Sequence, residues 1–194
     1  MIEILPIRLL TDEDSLIFGK LNVALGKLHR LGFPVGVGFV MSAPEFKLRT
    51  VLEQFDFVTY EVFEQSLTLV KKEIFSIPPP ENLTYETGKH KKFFLQGEIY
   101  KSVKNLWQAL LNIWLEQIKQ RLWNSGFYPG ITEGLDPQVV VFVGKVQSEG
   151  SAFFDPLQDD VIISVKSGKL HPADLKKITD IVKLANKKLF IPQE

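Results

Sequence analysis

The sequence predicts a mixed α+β fold. Apolar residues recur at helical spacing through several long stretches, most clearly over Ser102–Trp123. Two short runs, VGVGFVM at Val35–Met41 and VVVFV at Val139–Val143, are β-branched and aromatic enough to read as buried strands. Helices stand between and beside hairpin-like strands, without the regular alternation that a parallel sheet requires.

The elements follow in order. Residues 2–10 alternate loosely and read as a first strand, ended by the polar turn Thr11–Asp14. From Lys20 to Leu31, Leu21, Ala24, Leu25, Leu28 and Leu31 give a helical stripe, stopped by Gly32 and Pro34. After the strand Val35–Met41, Ser42 reads as an N-cap with Glu45 as its capping-box partner, and Phe46, Val51, Leu52 and Phe55 form one helical face. A further helix over Thr59–Phe75 turns Val62, Phe63, Val70, Ile74 and Phe75 inward and is ended by Pro78–Pro80.

Glu81–Lys92 is polar and reads as a loop, Phe93–Tyr100 as a strand. The strongest helix then carries Val103, Leu106, Trp107, Leu110, Leu111, Trp114, Ile118 and Leu122 in one wide stripe. Gly126–Pro137 is a loop, Val139–Val143 a buried strand, and Ala152–Phe154 and Val161–Val165 two more strands. A last helix spans Ala173–Leu189. The chain is expected to form one module, with lobes over 1–135 and 136–194.

Composition narrows the function classes. The 194 residues carry equal numbers of acidic and basic side chains, so no overall field favours nucleic acid or an anionic membrane. Without cysteine there is no disulfide or thiolate chemistry, and a reducing cytoplasm is the expected compartment. The N-terminal MIEILPIRLLTDED is too short in apolar residues for a signal peptide, and no apolar run reaches membrane-spanning length.

Phe18–Ala43, FGKLNVALGKLHRLGFPVGVGFVMSA, carries a family pattern. It resembles the opening of the ATP-grasp nucleotide-binding region of phosphoenolpyruvate synthase and pyruvate phosphate dikinase, roughly G-G-K-x-x-N-L-x-x-L-x-x-x-G-x-x-V-P-x-G-F-V-x-T. Gly19, Lys20, Leu25, Leu28, Gly32, Val35, Gly38, Phe39 and Val40 match in register. Asn22 stands one place early, and Leu21 replaces a usual glycine. Phe94–Trp114, Val139–Pro156 and the closing ANKKLFIPQE resemble later stretches of the same region in the same order.

The resemblance implies an ATP-grasp-like fold with ATP and Mg2+ in a cleft between two small lobes. It also implies a phosphocarrier histidine domain, on this or another chain, that accepts a phosphoryl group. Lys20 would contact the phosphates, where an ammonium neutralises charge on the transferring oxygens. Alone, the same residue reads as a solvated lysine at a helix start; with the surrounding motif the two readings stand near even. Val141, Phe142 and Val143 would line the adenine site, with Phe142 where the family prefers glutamine. Metal ligands would lie at or beyond Glu194.

Other residues depart from the pattern. Thr84–Lys92 occupies the place of the family's arginine loop and contains no arginine; Lys89, Lys91 or Lys92 would supply point charges but no bidentate fork. Phe154 replaces a threonine. Asp155, Asp159 and Asp160 are explained by a turn. Gly36 and Gly38 lack the third glycine of a phosphate loop and are expected to permit a tight turn or close backbone approach. His29, His90 and His171 show no metal-ligand spacing. Two functions stand against each other: an ATP-binding module of a phosphotransferase, and a relative that keeps the fold as a binding or structural module without the chemistry.

Overall fold

A computed structural model describes residues 2–44, 60–88, 90–124, 135–143 and 148–190. The architecture is mixed α+β and divides into two compact units, Met1–Gly26 with Gly36–Val143, and Lys27–Val35 with Gly144–Glu194.

The first unit is built on a five-stranded sheet in the order β1-β2-β5-β3-β4, antiparallel at every pairing. The strands are β1 (Ile4–Pro6), β2 (Gly38–Met41), β3 (Phe93–Leu95), β4 (Glu98–Tyr100) and β5 (Gln138–Phe142). The expected first strand is therefore only three residues long and gives way at Ile7–Leu9 to a 3-10 turn, where Pro6 and buried Ile7 redirect the chain. The lobe boundary expected between 135 and 136 would detach β5 from this unit. In the structure β5 pairs with β2 and β3 at the centre of the sheet, and the units divide after Val143.

Strand alternation sorts the side chains. Phe39, Met41, Phe93, Leu95 and Val140 form one buried cluster with side chains from three helices. These are α3 (Tyr60–Ser76), α4 (Glu81–Thr87) and α5 (Val103–Asn124), which supply Val70 and Ile74, Leu83, and Leu106, Leu110 and Trp114 respectively. Both indoles buried among the described residues are satisfied, Trp107 donating to the Ile77 carbonyl at 3.2 Å and Trp114 to the Asp136 carbonyl at 3.1 Å. The α5 stripe matches the expected one from Leu106 to Ile118, with Val103 only partly buried and Ala109 and Leu115 added to it; the Leu122 side chain lies outside the described residues.

Glu81–Thr87 is a helix rather than the expected loop. Leu83 and Thr87, one turn apart, are both buried, and the Thr87 hydroxyl donates to the Leu83 carbonyl at 2.7 Å. Phe93–Tyr100 is a hairpin rather than one strand. Gln96 (φ 46°) and Gly97 (φ 90°) form a two-residue turn with both central residues at positive φ, the condition for a type I′ hairpin. Ser42 accepts a hydrogen bond from the Glu3 N–H at 2.8 Å and its own N–H donates to the Glu3 carbonyl, extending the β1–β2 edge. Its expected partner Glu45, and the helical face from Phe46 to Phe55, lie outside the described residues.

At the N-terminal end α1 (Ser15–Phe18) and α2 (Lys20–Arg30) are separated by Gly19 at φ 77° and ψ 149°. The Asn22 side chain donates to the Phe18 carbonyl at 2.8 Å, closing the end of α1. Gly26 lies against Ile7 and Leu10, where a Cβ would meet the Leu10 carbonyl oxygen at 2.5 Å.

The second unit contains the hairpin of β6 (Ser148–Asp155) and β7 (Asp160–Gly168), with α6 (Pro172–Phe190) packed on both strands. Ala152, Phe154, Val161 and Ile163 are half-buried, and no described side chain of this unit is fully buried. Among the described residues no helix is long and apolar enough to cross a membrane.

Candidate functional site

The outer face of the first unit's sheet carries a cleft of about 380 Å³ over β5 and β3. Its position follows from strand period: with Val140 turned into the core, Val139 and Val141 must face outward, and Phe94 is registered opposite Val141. Phe94, Val139 and Val141 form an apolar floor, rimmed by Gln96, Gln117, Asp136 and Gln138. All three floor residues are half-buried.

A hydrogen-bonded network fixes the rim. Gln96 donates to Gln138 at 2.8 Å, and Gln138 in turn donates to the Asp136 carbonyl at 2.8 Å. The Asp136 N–H donates to Gln117 at 2.9 Å, and Arg121 approaches the Asp136 carboxylate at 3.4 Å. Gln138 is 96% shielded from solvent, so its two amide bonds offset a substantial desolvation cost. The rim is therefore held before any ligand arrives, which lowers the ordering cost of binding.

Two glycines make the site possible. A Cβ on Gly36 would meet Val141 Cγ1 at 2.6 Å, and a Cβ on Gly38 would meet the Val140 carbonyl oxygen at 2.0 Å. Of the two roles expected from the sequence, a tight turn or close backbone approach, Gly38 shows the second; at Gly36 the neighbour is the Val141 side chain.

Of the three residues expected to line an adenine site, Val141 lies in the cleft. The Phe142 ring belongs to the opposite side, stacked on His90 with centroids 3.8 Å apart and edge-on to Phe93. Its N–H donates to the Val37 carbonyl at 2.8 Å, and the Val143 N–H to the Lys92 carbonyl at 3.0 Å. Those two backbone donors are engaged within the chain.

Lys20 is the first residue of α2, exposed and without a hydrogen-bond or ion-pair partner among the described residues. The Gly19 carbonyl accepts from Val23, so Lys20, Leu21 and Asn22 have no intrahelical acceptor for their N–H groups. An ammonium thus stands at the positive end of a helix. Glu194 and Lys89 lie outside the described residues.

Among the described residues no group of three or more His, Asp or Glu side chains is placed to hold a metal ion. Asp155 accepts from the Leu157 N–H at 2.9 Å and Asp160 from its neighbour Val161 at 2.7 Å, both turn roles. Lys183 donates to the Asp159 carbonyl at 3.0 Å. His171 accepts through its carbonyl from Asp174 and Leu175 at the start of α6, and His29 is exposed on α2.

The chain matches no protein-family model, no curated protein and no solved structure.

The carboxamide rim has no counterpart in the sequence reading. Gln96, Gln117 and Gln138 are spaced without a motif, and Gln96-Gly97 is not among the dipeptides that announce a hairpin turn.

Proposed function

We propose that the chain is an ATP-binding module of the kind found in phosphoenolpyruvate synthase and pyruvate phosphate dikinase, with the base seated over β5. The observation that carries this is the cleft itself, an apolar floor of Phe94, Val139 and Val141 edged by oriented carboxamides. That combination suits a purine, whose faces are apolar and whose edge offers donors and acceptors. Lys20 at the start of α2 supports a phosphate contact, because the ammonium and the helix terminus attract the same charge.

Among the described residues no group of three or more His, Asp or Glu side chains is placed to hold Mg2+, and no transfer step is assigned to the chain. A second reading, a binding or structural module that has lost the chemistry, is favoured by one observation. The stretch that occupies the place of the arginine loop begins inside the helix α4, where Thr87 is buried.

Calorimetric titration with ATP, adenosine and inorganic triphosphate tests the proposal. Lys20→Ala should weaken ATP and triphosphate but leave adenosine unchanged, whereas Val139→Glu should weaken ATP and adenosine. Absence of binding at millimolar ATP would leave the second reading.

A further inference from the structure

A separate cleft of about 510 Å³ lies between the β3–β4 hairpin and α5. Its base is apolar, with Leu95 and Ala109 buried. One wall is β4, the terminal strand of the sheet; among the described residues no strand pairs with its outer edge. The other wall is a stripe of three carboxamides, Asn105, Gln108 and Asn112, on α5. All three are exposed, and none of their side chains has a hydrogen-bond partner among the described residues.

The hairpin register determines what the open edge presents. A two-residue loop makes Leu95–Glu98 the closing pair, and pairing alternates along an antiparallel ladder. Phe93–Tyr100 is then the next hydrogen-bonded pair, and Ile99 lies between them, opposite Phe94. Its N–H and C=O therefore point away from β3, toward the open edge. Ile99 is 43% exposed, so the edge is accessible at that residue.

The seven-residue step from Asn105 to Asn112 spans about 10 Å of helix, at a rise of about 1.5 Å per residue. The two residue steps of β4, Glu98 to Tyr100, span about 7 Å, so the helix wall runs somewhat beyond the strand. We infer that this cleft binds an extended peptide segment, which adds to the sheet beside β4 through Ile99 and is contacted on its other side by Asn105, Gln108 and Asn112.

Carboxamides suit that ligand because each can donate to a peptide carbonyl and accept from a peptide N–H. The lining contains no lysine or arginine, and its one charge is Glu98, which accepts from the Tyr100 hydroxyl at 2.8 Å. Acidic segments are therefore disfavoured, and a peptide with neutral side chains is the fitting class. Main-chain pairing supplies affinity while the apolar base selects the side chains that alternate toward α5. The site does not rest on the nucleotide reading: of the residues placed at the β5 cleft only Gln96 also lines this one, and the peptide contacts proposed here do not use it.

The test is a nuclear magnetic resonance titration of the full chain. The probe is an acetylated and amidated pentapeptide of alternating threonine and valine, with the same peptide N-methylated at its central residue as control. The peptide should shift the Ile99 backbone amide and the side-chain amides of Asn105, Gln108 and Asn112, and the N-methylated peptide should bind about tenfold more weakly. Ile99→Pro removes an N–H that faces outward and should weaken the peptide by a similar factor while the β3–β4 ladder persists. Should that variant unfold, Gln108→Leu on the exposed helix face gives the same reading. No shifts at millimolar peptide, equal binding of the N-methylated control, or shifts at these amides from a glucose trisaccharide and not from peptide would each overturn the inference.

Discussion

Gly38→Ala tests the account of how β2 and β5 are joined. The new Cβ would lie 2.0 Å from the Val140 carbonyl oxygen and 2.8 Å from the Val141 Cα. Carbon–oxygen contacts across sheets settle at about 3.3–3.6 Å, so the strands must separate by more than about 1 Å. Ladder bonds of about 2.9 Å would then exceed bonding distance. Losing the two ladder bonds nearest Gly38 costs about 2 kcal/mol net. Partial exposure of Phe39 and Val140, both fully buried, adds about 1–2 kcal/mol.

The expected loss is therefore about 3–4 kcal/mol, a large share of the roughly 5–15 kcal/mol that stabilises a domain. Gly36→Ala is the comparison, because its Cβ meets only the Val141 side chain, which can rotate at a cost of about 1 kcal/mol. Urea unfolding followed by tryptophan fluorescence reads both, since Trp107 and Trp114 are buried in this unit. A loss below about 1 kcal/mol for Gly38→Ala, or one no larger than for Gly36→Ala, would refute the close-approach argument.

Trp114→Phe removes the donor to the Asp136 carbonyl and part of the edge-on contact with Trp107, and should destabilise the first unit by about 2–3 kcal/mol in the same assay. It should also lower affinity for any ligand of the β5 cleft, because Asp136 is part of the rim network. Burial first, then the hydrogen bond and charge of Glu98, raise the Tyr100 pKa above its ordinary value. The neutral phenol is thus favoured by folding: its contribution is complete below the ordinary value and is lost as pH rises through the folded one. Phenolate absorbance, read as the difference from Tyr100→Phe, should show a late alkaline transition that Glu98→Gln moves to lower pH.

Much of the helical framework is legible in the sequence because its periodicity is dense. Over Ser102–Trp123 every turn supplies an apolar residue, and the helix follows almost to the residue. α4 hides because its inward side is only Leu83 and Thr87, too sparse to stand out among polar neighbours. The β3–β4 turn hides for a different reason: Gln96 occupies a positive-φ position where asparagine or glycine would announce it.

At the candidate site Val141 is legible as an apolar wall, but a continuous run such as VVVFV does not reveal which residues face which side. Register with β2 and β3 decides that, sending the Phe142 ring to His90 and Phe93 rather than to the cleft. The glutamine rim depends on contacts between residues as distant in the chain as Gln96 and Gln138, which no local pattern encodes.

The order of strands in the sheet differs from their order of synthesis. β1 with β2, and β3 with β4, are complete pairs well before Gln138 leaves the ribosome, yet both need β5 between them. Until that segment emerges, β2 and β3 each present an unpaired edge, the kind of surface on which nascent chains associate wrongly. Val139–Phe142 then closes both gaps in one event, joining partners about a hundred residues apart at β2. A ribosome-bound chain stalled before Gln138 should therefore be far more prone to aggregate and to recruit chaperones than one stalled a few tens of residues later, once β5 has cleared the exit tunnel.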